Sequence, residues 1–346
     1  MSSTIQLRVK AFVSETYDAK TIFLEPLDGE KMVYESGQFL TLIVRHNDHE
    51  VRRSYSFSSW PGENNLSITV KRVTNGEISR YLLDHLKVGD VLEALPPAGR
   101  FTVTTQSDTK RDIFMFAAGS GITPMYSLLK KILYLEPQTV ITLLYSNTRE
   151  RTIIFKDALE GLQAQFPSQL RLYHLLSEPS SEWEGMRGRL NNTLTEDWVK
   201  NKLLFEPKDA LFFVCGPPIY MQVVQFTLGY MGFDETQIRK ENFTIPAAIP
   251  QLPTSEAHTI GLRYLGKDYQ LLVPAYTNIL KAALEAGIQL PYSCRGGRCS
   301  ACIGKCISGK VGMIINDVLT ERDLAQGWML TCTGYPQDEE VVIQIL

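Results

Sequence analysis

Apolar positions recur with a period of two through the first hundred residues. Leu7–Val13, Phe39–Val44, Ser54–Ser58, Leu66–Val73 and Val91–Ala94 alternate or run apolar, and Gly62-Glu63-Asn64-Asn65 and Gly89-Asp90 punctuate them as turns. One helix, Ser79–Leu86, interrupts the series. The pattern predicts a small antiparallel β-barrel. From about residue 110 the period changes. Strand Ile113–Phe116 runs at once into glycines and a helix through Met125–Tyr134. Strand Val140–Tyr145, helix Thr152–Gln165, strands Leu170–Leu176 and Leu211–Val214, and helix Tyr220–Met231 follow. Strands alternating with helices imply a doubly wound α/β domain with a parallel sheet.

Residues 246–257 hold three prolines and no regular period, and read as an extended linker. Beyond it, Thr259–Leu265 and Tyr269–Val273 flank Gly266-Lys267-Asp268 as a hairpin, and Asn278 caps a short amphipathic helix ending at Gly287. The expected organisation is a barrel over 1–106, an α/β domain over 107–245, the linker over 246–257 and a third domain over 258–346.

A chain of 346 residues has room for two or three such domains, and 44% hydrophobic with 21% charged residues supports real cores. The net charge of −3 gives no electrostatic reason to expect nucleic acid, and no basic run marks a membrane-binding face. The N-terminus lacks a basic region followed by an apolar stretch, and no apolar run approaches the eighteen or so residues of a membrane span. The expected home is the cytoplasm, with neither nucleic acid nor membrane as a partner.

Cysteine usage sharpens the picture. Of six cysteines, Cys294, Cys299, Cys302, Cys306 and Cys332 fall in the last 53 residues, and only Cys215 lies outside. In a reducing compartment such clustering argues for a metal site rather than disulfides. Cys294-x4-Cys299-x2-Cys302, then 29 residues, then Cys332, is the plant-type [2Fe–2S] spacing. Three thiolates on one tight loop grip the cluster from one side, and the fourth arrives from a distant segment. The loop's Arg295-Gly296-Gly297-Arg298 lets the backbone wrap close and aim N–H groups at the sulfurs, which with the two arginines helps set a potential of roughly −400 mV for this cluster type. Zinc sites usually show two Cys-x2-Cys pairs, and here there is one. His46, His49, His85, His174 and His258 all lie outside the loop, which removes a Rieske centre. Cys306 is left over and reads as a free thiol.

Two further constellations bear on cofactors. Arg53-Ser54-Tyr55-Ser56 ends a barrel strand: a guanidinium suits a pyrophosphate, a phenol packs on an isoalloxazine, and a hydroxyl reaches the flavin N5 edge. An ordinary cross-strand pair with a surface arginine is the competing reading. Gly76-Glu77-Ile78-Ser79 adds a helix start able to turn N–H groups to a second phosphate, which favours FAD and leaves FMN open. Gly119-Ser120-Gly121-Ile122-Thr123-Pro124 follows a strand and opens a helix, the context of a phosphate-binding turn, although proline replaces the last Rossmann glycine. Cys215-Gly216-Pro217-Pro218 closes a later strand at the edge where open α/β sheets bind ligands.

Together these motifs resemble the ferredoxin–NADP reductase superfamily over about residues 5–245, joined to a plant-type ferredoxin over about 258–346. The resemblance implies a multidomain protein: an antiparallel FAD barrel, a doubly wound NAD(P) domain and a β-grasp ferredoxin domain of α+β class. It puts the flavin on Arg53, Tyr55 and Ser56, with Gly76, Ile78 and Ser79 at its pyrophosphate. It lines the nicotinamide nucleotide with Gly119, Gly121, Thr123 and Pro124, and sets Cys215, Gly216 and Pro217 beside the nicotinamide ring. Ser56 and Cys215 are then the residues that orient the reacting rings. Glu241-Asn242-Phe243 is similar to the segment that ends the nucleotide domain near the flavin, and Phe243 is carried over as a flavin contact. The implied cluster ligands are Cys294, Cys299, Cys302 and Cys332. The domain order and the tail Gly309-Lys310-Val311-Gly312-Met313…Asn316…Leu319…Gly327-Trp328…Leu330-Thr331-Cys332 look most like the reductases of the phenylacetyl-CoA epoxidase branch, which implies a di-iron oxygenase as electron acceptor. Reductases of steroid and ring hydroxylases share the architecture. Where relatives carry Gly-Asn-Arg-Thr after the second nucleotide-domain strand, this chain reads Ser146-Asn147-Thr148-Arg149. Arg149 and Arg151 are expected to meet the 2′-phosphate of NADPH, with NADH left open. A redox sensor that binds the same cofactors without sustained turnover is the alternative of another class.

Overall fold

The computed structural model describes residues 4–46, 49–243 and 256–345. Its first strands are β1 (Ile5–Thr16), β2 (Ala19–Pro26), β3 (Phe39–His46), β4 (His49–Ser56) and β5 (Leu66–Lys71), followed by α1 (Glu77–His85) and β6 (Val91–Ala94). They order as β4-β3-β6-β1-β2-β5. An antiparallel bridge between Phe57 and Ile68 joins the two edges and closes the barrel. Leu7, Val9, Ile22, Leu40, Leu42, Ile68 and Val70 alternate inward to fill it. Sequence pattern places a strand at Ser54–Ser58; the strand in the structure begins at His49 and stops at Ser56, where the chain turns into the barrel seam. Strand β2 has no clear alternation in the sequence, because inward Ile22 and Leu24 are interleaved with an equally apolar Phe23.

The α/β portion comprises β7 (Asp112–Ala118), α2 (Ile122–Leu135), β8 (Val140–Asn147), α3 (Lys156–Gln165), β9 (Leu170–Leu176), β10 (Met186–Arg187), α4 (Asn192–Lys202), β11 (Leu211–Cys215), α5 (Pro218–Tyr230) and β12 (Ile238–Glu241). All six strands are parallel, in the order β10-β9-β8-β7-β11-β12. Successive residues of β7 serve opposite faces. Ile113, Met115 and Ala117 pack under α2 and α3, whereas Phe114 and Phe116 pack with α4 and α5. The sheet is therefore doubly wound, and its order reverses between β7 and β11. The helix expected from Thr152 starts at Lys156, since Phe155 adopts a left-handed conformation (φ 61°) that breaks the turn before it. Polar α4 carries no apolar stripe to betray it, because only Thr195 and Val199 of its residues are buried.

The last segment holds β13 (His258–Tyr264), β14 (Lys267–Val273), α6 (Ile279–Glu285), β15 (Ile303–Ser308), β16 (Val311–Met313), α7 (Glu321–Ala325), β17 (Trp328–Leu330), β18 (Gly334–Pro336) and β19 (Val342–Ile345). A mixed sheet β14-β13-β19-β15-β17, with β13 and β19 parallel, carries α6 on one face, as a β-grasp does. Asn278 caps α6 as its sequence suggests: its side chain accepts from Lys281 N–H at 2.8 Å.

The chain divides into two compact units, residues 5–51 with 55–241, and the segment from 242 onward with Arg52–Ser54. Barrel and α/β sheet thus belong to one unit. Ala19, Phe101 and Val103 share a core with the β7 face, and Ser127 Oγ of α2 donates to the Ser59 carbonyl at 2.5 Å. The expected linker falls at 246–255 outside the described residues. Among the described residues no helix is long and apolar enough to cross a membrane.

Candidate functional site

Three strand ends converge in the first unit. Ser56 closes β4, Cys215 closes β11 and Glu241 closes β12. Cys215 and Glu241 stand opposite each other in the β11–β12 register, and Ser56 Oγ donates to Glu241 Oε2 at 3.3 Å. All three are buried. Burial pushes the Glu241 carboxyl up to about 8, against the lowering pull of the Ser56 hydroxyl. It also raises the Cys215 thiol, with the nearby Glu241 carboxyl adding to the effect. Both groups therefore hold their protons at neutral pH. Glu241 is buried, whereas Phe243, which the sequence likeness singles out two positions on, is half exposed. A lone carboxylate closing the final parallel strand is the signal that points to Glu241.

The glycine turn sits at the reversal of strand order. Gly119-Ser120-Gly121 forms a single 3-10 turn leading into α2, and Gly119 has φ 55°. A Cβ on Gly121 would stand 2.2 Å from the Cys215 carbonyl oxygen, so only glycine allows this turn to lie against the end of β11. Gly119, Gly121, Cys215 and Gly216 are thereby brought together. Thr123 donates its hydroxyl to the Ser120 carbonyl at 2.9 Å, and Pro124 is buried in the first turn of α2. Pro217 is exposed at the N-terminus of α5. Tyr145 ties two segments together, donating to the Gly119 carbonyl at 2.9 Å and accepting from Ile154 N–H at 3.3 Å. At the same strand end the Ser146 and Asn147 side chains lie by the Tyr220 and Tyr145 hydroxyls.

The two arginines proposed for a 2′-phosphate follow β8. Arg149 Nη2 pairs with Glu178 Oε2 at 3.0 Å, both side chains half exposed, and the Arg151 guanidinium lies 5.3 Å from the centre of the Tyr17 ring. In the barrel, Tyr55 packs on the core and Arg53 is exposed, with Nη1 donating to the Arg52 carbonyl. Gly76 caps α1 in an extended conformation. Ile78 is buried in the barrel core, and Ser79 turns its hydroxyl inward to accept from Val73 N–H at 3.1 Å. Gly76 and Ile78 therefore offer only their backbones to a phosphate at this helix start.

In the second unit Cys294, Cys299, Cys302 and Cys332 come together as pairs. A hydrogen bond between thiols links Cys294 with Cys299, and another links Cys302 with Cys332. Gly296 N–H donates to Cys294 Sγ at 3.3 Å, and Cys294 N–H to Cys299 Sγ at 3.5 Å. The Cys299 hydrogen bond, then the N–H groups of Gly296, Arg298 and Cys299, hold the Cys294 thiol down to about 5. Its partner Cys299 is pushed up by the same shared proton. Among the described residues no group of three or more His, Cys, Asp or Glu is placed to hold a single metal ion. Two thiol pairs ringed by N–H donors fit a two-iron cluster, with one pair to each iron. Cys306 points elsewhere, its Sγ 3.1 Å from the Ser308 carbonyl.

Three family models match in chain order: an oxidoreductase FAD-binding domain at residues 4–103, an oxidoreductase NAD-binding domain at 115–225 and a 2Fe-2S iron-sulfur cluster binding domain at 262–337. An oxidoreductase carrying FAD, NAD(P)H and a [2Fe–2S] cluster is the class these domains define. The chain belongs to the ferredoxin–NADP reductase superfamily, in the group of reductase components with a plant-type ferredoxin domain at the C-terminal side. It is 33% identical over 352 residues to a component of the 1,2-phenylacetyl-CoA epoxidase of Escherichia coli (strain K12), covering 99% of this chain and 98% of the relative. It is 34% identical over 356 residues to the 3-ketosteroid-9-alpha-monooxygenase ferredoxin reductase component of Mycobacterium tuberculosis, covering 98% and 95%. Phthalate dioxygenase reductase shares the fold, with a TM-score of 0.61 at 22% identity over 99% of this chain and 98% of that one.

Proposed function

We propose that this chain is the reductase component of an oxygenase system, most similar in use to the phenylacetyl-CoA epoxidase, with a di-iron oxygenase as its acceptor. A bound flavin would supply the exchange between two-electron hydride uptake from NAD(P)H and one-electron release, and a cluster held by the four cysteines would supply one-electron relay. The protein supplies position and protons. Ser56 and Cys215 would orient the reacting rings, and the close approach of Gly121 to Cys215 would leave room for a nicotinamide beside them. Neutral Glu241 keeps a proton at Oε, within reach of the Ser56 hydroxyl. Cys215 and Glu241 are both uncharged, so neither sets a negative charge against hydride arrival. Arg53, Tyr55 and Ser56, with the N–H groups at Gly76–Ser79, hold FAD, and Phe243 flanks it. Gly119, Thr123, Pro124, Gly216 and Pro217 line the nucleotide, and Arg149 with Arg151 meets a 2′-phosphate. Cys294, Cys299, Cys302 and Cys332 ligate the cluster. Thiolate ligands of this kind belong in a reducing cytoplasm.

The observation that carries electron transfer is the pairing of the four thiols. The choice of acceptor rests on the full-length likeness to the Escherichia coli protein. The test mixes the reconstituted protein with purified candidate oxygenases and follows NAD(P)H oxidation coupled to product. Coupling to a di-iron oxygenase that epoxidises an aromatic CoA thioester is expected. Coupling to a ring-dihydroxylating Rieske oxygenase alone overturns the acceptor. The absence of any NAD(P)H-dependent turnover favours the sensor instead.

A further inference from the structure

The cluster loop contains a buried cation. Arg298 is only 5% exposed, and its Nε lies 2.5 Å from Asp317 Oδ2. A guanidinium is expensive to bury, so its placement one residue before Cys299 calls for a function. Asp317 belongs to a strap, residues 314–319, that crosses the loop. Asp317 N–H donates to the Gly297 carbonyl at 3.0 Å, and a Cβ on Gly297 would meet the Ile315 carbonyl oxygen at 2.5 Å. The strap also grips the far side of the ligand set. Ile314 N–H donates to the Thr333 carbonyl at 3.1 Å, and Thr333 Oγ1 returns a bond to the Ile315 carbonyl at 2.8 Å. Thr333 is the neighbour of Cys332. One strap therefore spans the loop that carries three cysteines and the segment that carries the fourth.

Arg298 also contributes its backbone, since its N–H is one of those directed at the Cys294 sulfur. We propose that the Arg298–Asp317 pair is a latch that positions the cluster loop, holding its N–H groups on the Cys294 sulfur and so setting the reduction potential of the cluster. Arg298 and Asp317 are positioning residues and act through the loop. The inference rests on the cluster being bound by the four paired cysteines. Reduction adds negative charge to the cluster, and N–H donors stabilise that charge. Releasing the latch should therefore shift the midpoint to more negative values.

The direction separates anchoring from charge. Losing Arg298 lowers the potential under either account. Losing the Asp317 carboxylate removes a negative charge, which by itself would raise the potential; loss of the latch lowers it. The experiment measures, on full-length holoprotein, the cluster midpoint by anaerobic dye-mediated titration and the rate of cluster bleaching by an iron chelator. Flavin content reports whether the chain outside the cluster loop has kept its fold. Arg298→Gln and Asp317→Ala should both shift the midpoint negative and bleach about 10–100-fold faster at unchanged flavin content. Asp317→Asn keeps an acceptor for Nε but loses the charge, so its midpoint should lie positive of that of Asp317→Ala and its bleaching rate between those of Asp317→Ala and the parent. A positive shift in Asp317→Ala, or a parental midpoint and bleaching rate in both Arg298→Gln and Asp317→Ala, overturns the latch. If Asp317→Ala retains no cluster, the bleaching rate of Asp317→Asn decides: faster than the parent's supports the latch, equal to it overturns it. A parent protein with flavin but without [2Fe–2S] absorbance would instead overturn the cluster reading itself.

Discussion

Ser56 and Glu241, 185 positions apart, meet as a buried hydroxyl–carboxyl pair at 3.3 Å. The contact brings the last residue of a barrel strand to the last residue of the parallel sheet. It places an ionisable proton where neither the barrel nor the sheet alone would hold one.

Stability should record that proton. Burial lifts the Glu241 carboxyl from 4.5 to about 8, so the folded chain keeps a proton the unfolded chain releases. The contribution is whole below about pH 4.5 and drains away as pH rises towards 8. Glu241→Gln is neutral throughout and should flatten this slope, stabilising the protein at pH 8 by on the order of a few kcal/mol. Melting temperature against pH is the measurement. A parental slope in the variant would show that the proton lies elsewhere.

Cys332→Ser should abolish reduction of the cluster while NAD(P)H still bleaches the flavin, because Cys332 is none of the residues proposed to hold flavin or nucleotide. Cys306→Ser should do neither, as its thiol faces the Ser308 carbonyl and not the other four. Visible spectra during anaerobic NADPH titration check both. Loss of the cluster in Cys306→Ser with retention in Cys332→Ser would reverse the ligand assignment.

Gly121→Ala should damage the nucleotide site. The new methyl group would lie 2.2 Å from the Cys215 carbonyl oxygen, with backbone rather than a flexible side chain in the way. A cost of roughly 1–3 kcal/mol is expected, together with a raised dissociation constant for NADP+ measured by titration calorimetry. A dissociation constant equal to the parent's would mean that the close approach has no part in nucleotide binding.

The donor nucleotide depends on an exposed ion pair. Arg149 and Glu178, both half exposed, attract each other by about 0–1 kcal/mol, which a 2′-phosphate can displace. Replacing Arg149 and Arg151 by alanine should raise the NADPH KM about tenfold or more and the NADH KM by far less. Glu178→Gln should lower the NADPH KM by freeing Arg149. Steady-state kinetics with both nucleotides read the outcome; equal effects on the two would reduce the arginines to general charge steering.

Much of this protein is written locally. The spacing of Cys294, Cys299 and Cys302 is short-range, so a single loop encodes three ligands, and Cys332 follows on the same spacing rule. The barrel strands and the α/β alternation are legible because one face of each element is apolar at its own period. The glycine turn at Gly119 is legible for a similar reason, since its positive φ belongs to the residue. Tertiary structure alone decided what depends on two distant segments meeting. Glu241 becomes a neutral acid only because the fold buries it where the ends of β4, β11 and β12 meet, and desolvation has no signature in sequence. Arg149 reads as a phosphate ligand, and only the fold shows that it rests against Glu178, 29 residues on. Arg298 reads as a charge beside the cluster, and only the fold shows that it is buried and paired with Asp317. Periodicity and spacing are properties of neighbouring residues, whereas burial and charge pairing arise only when the chain has folded back on itself.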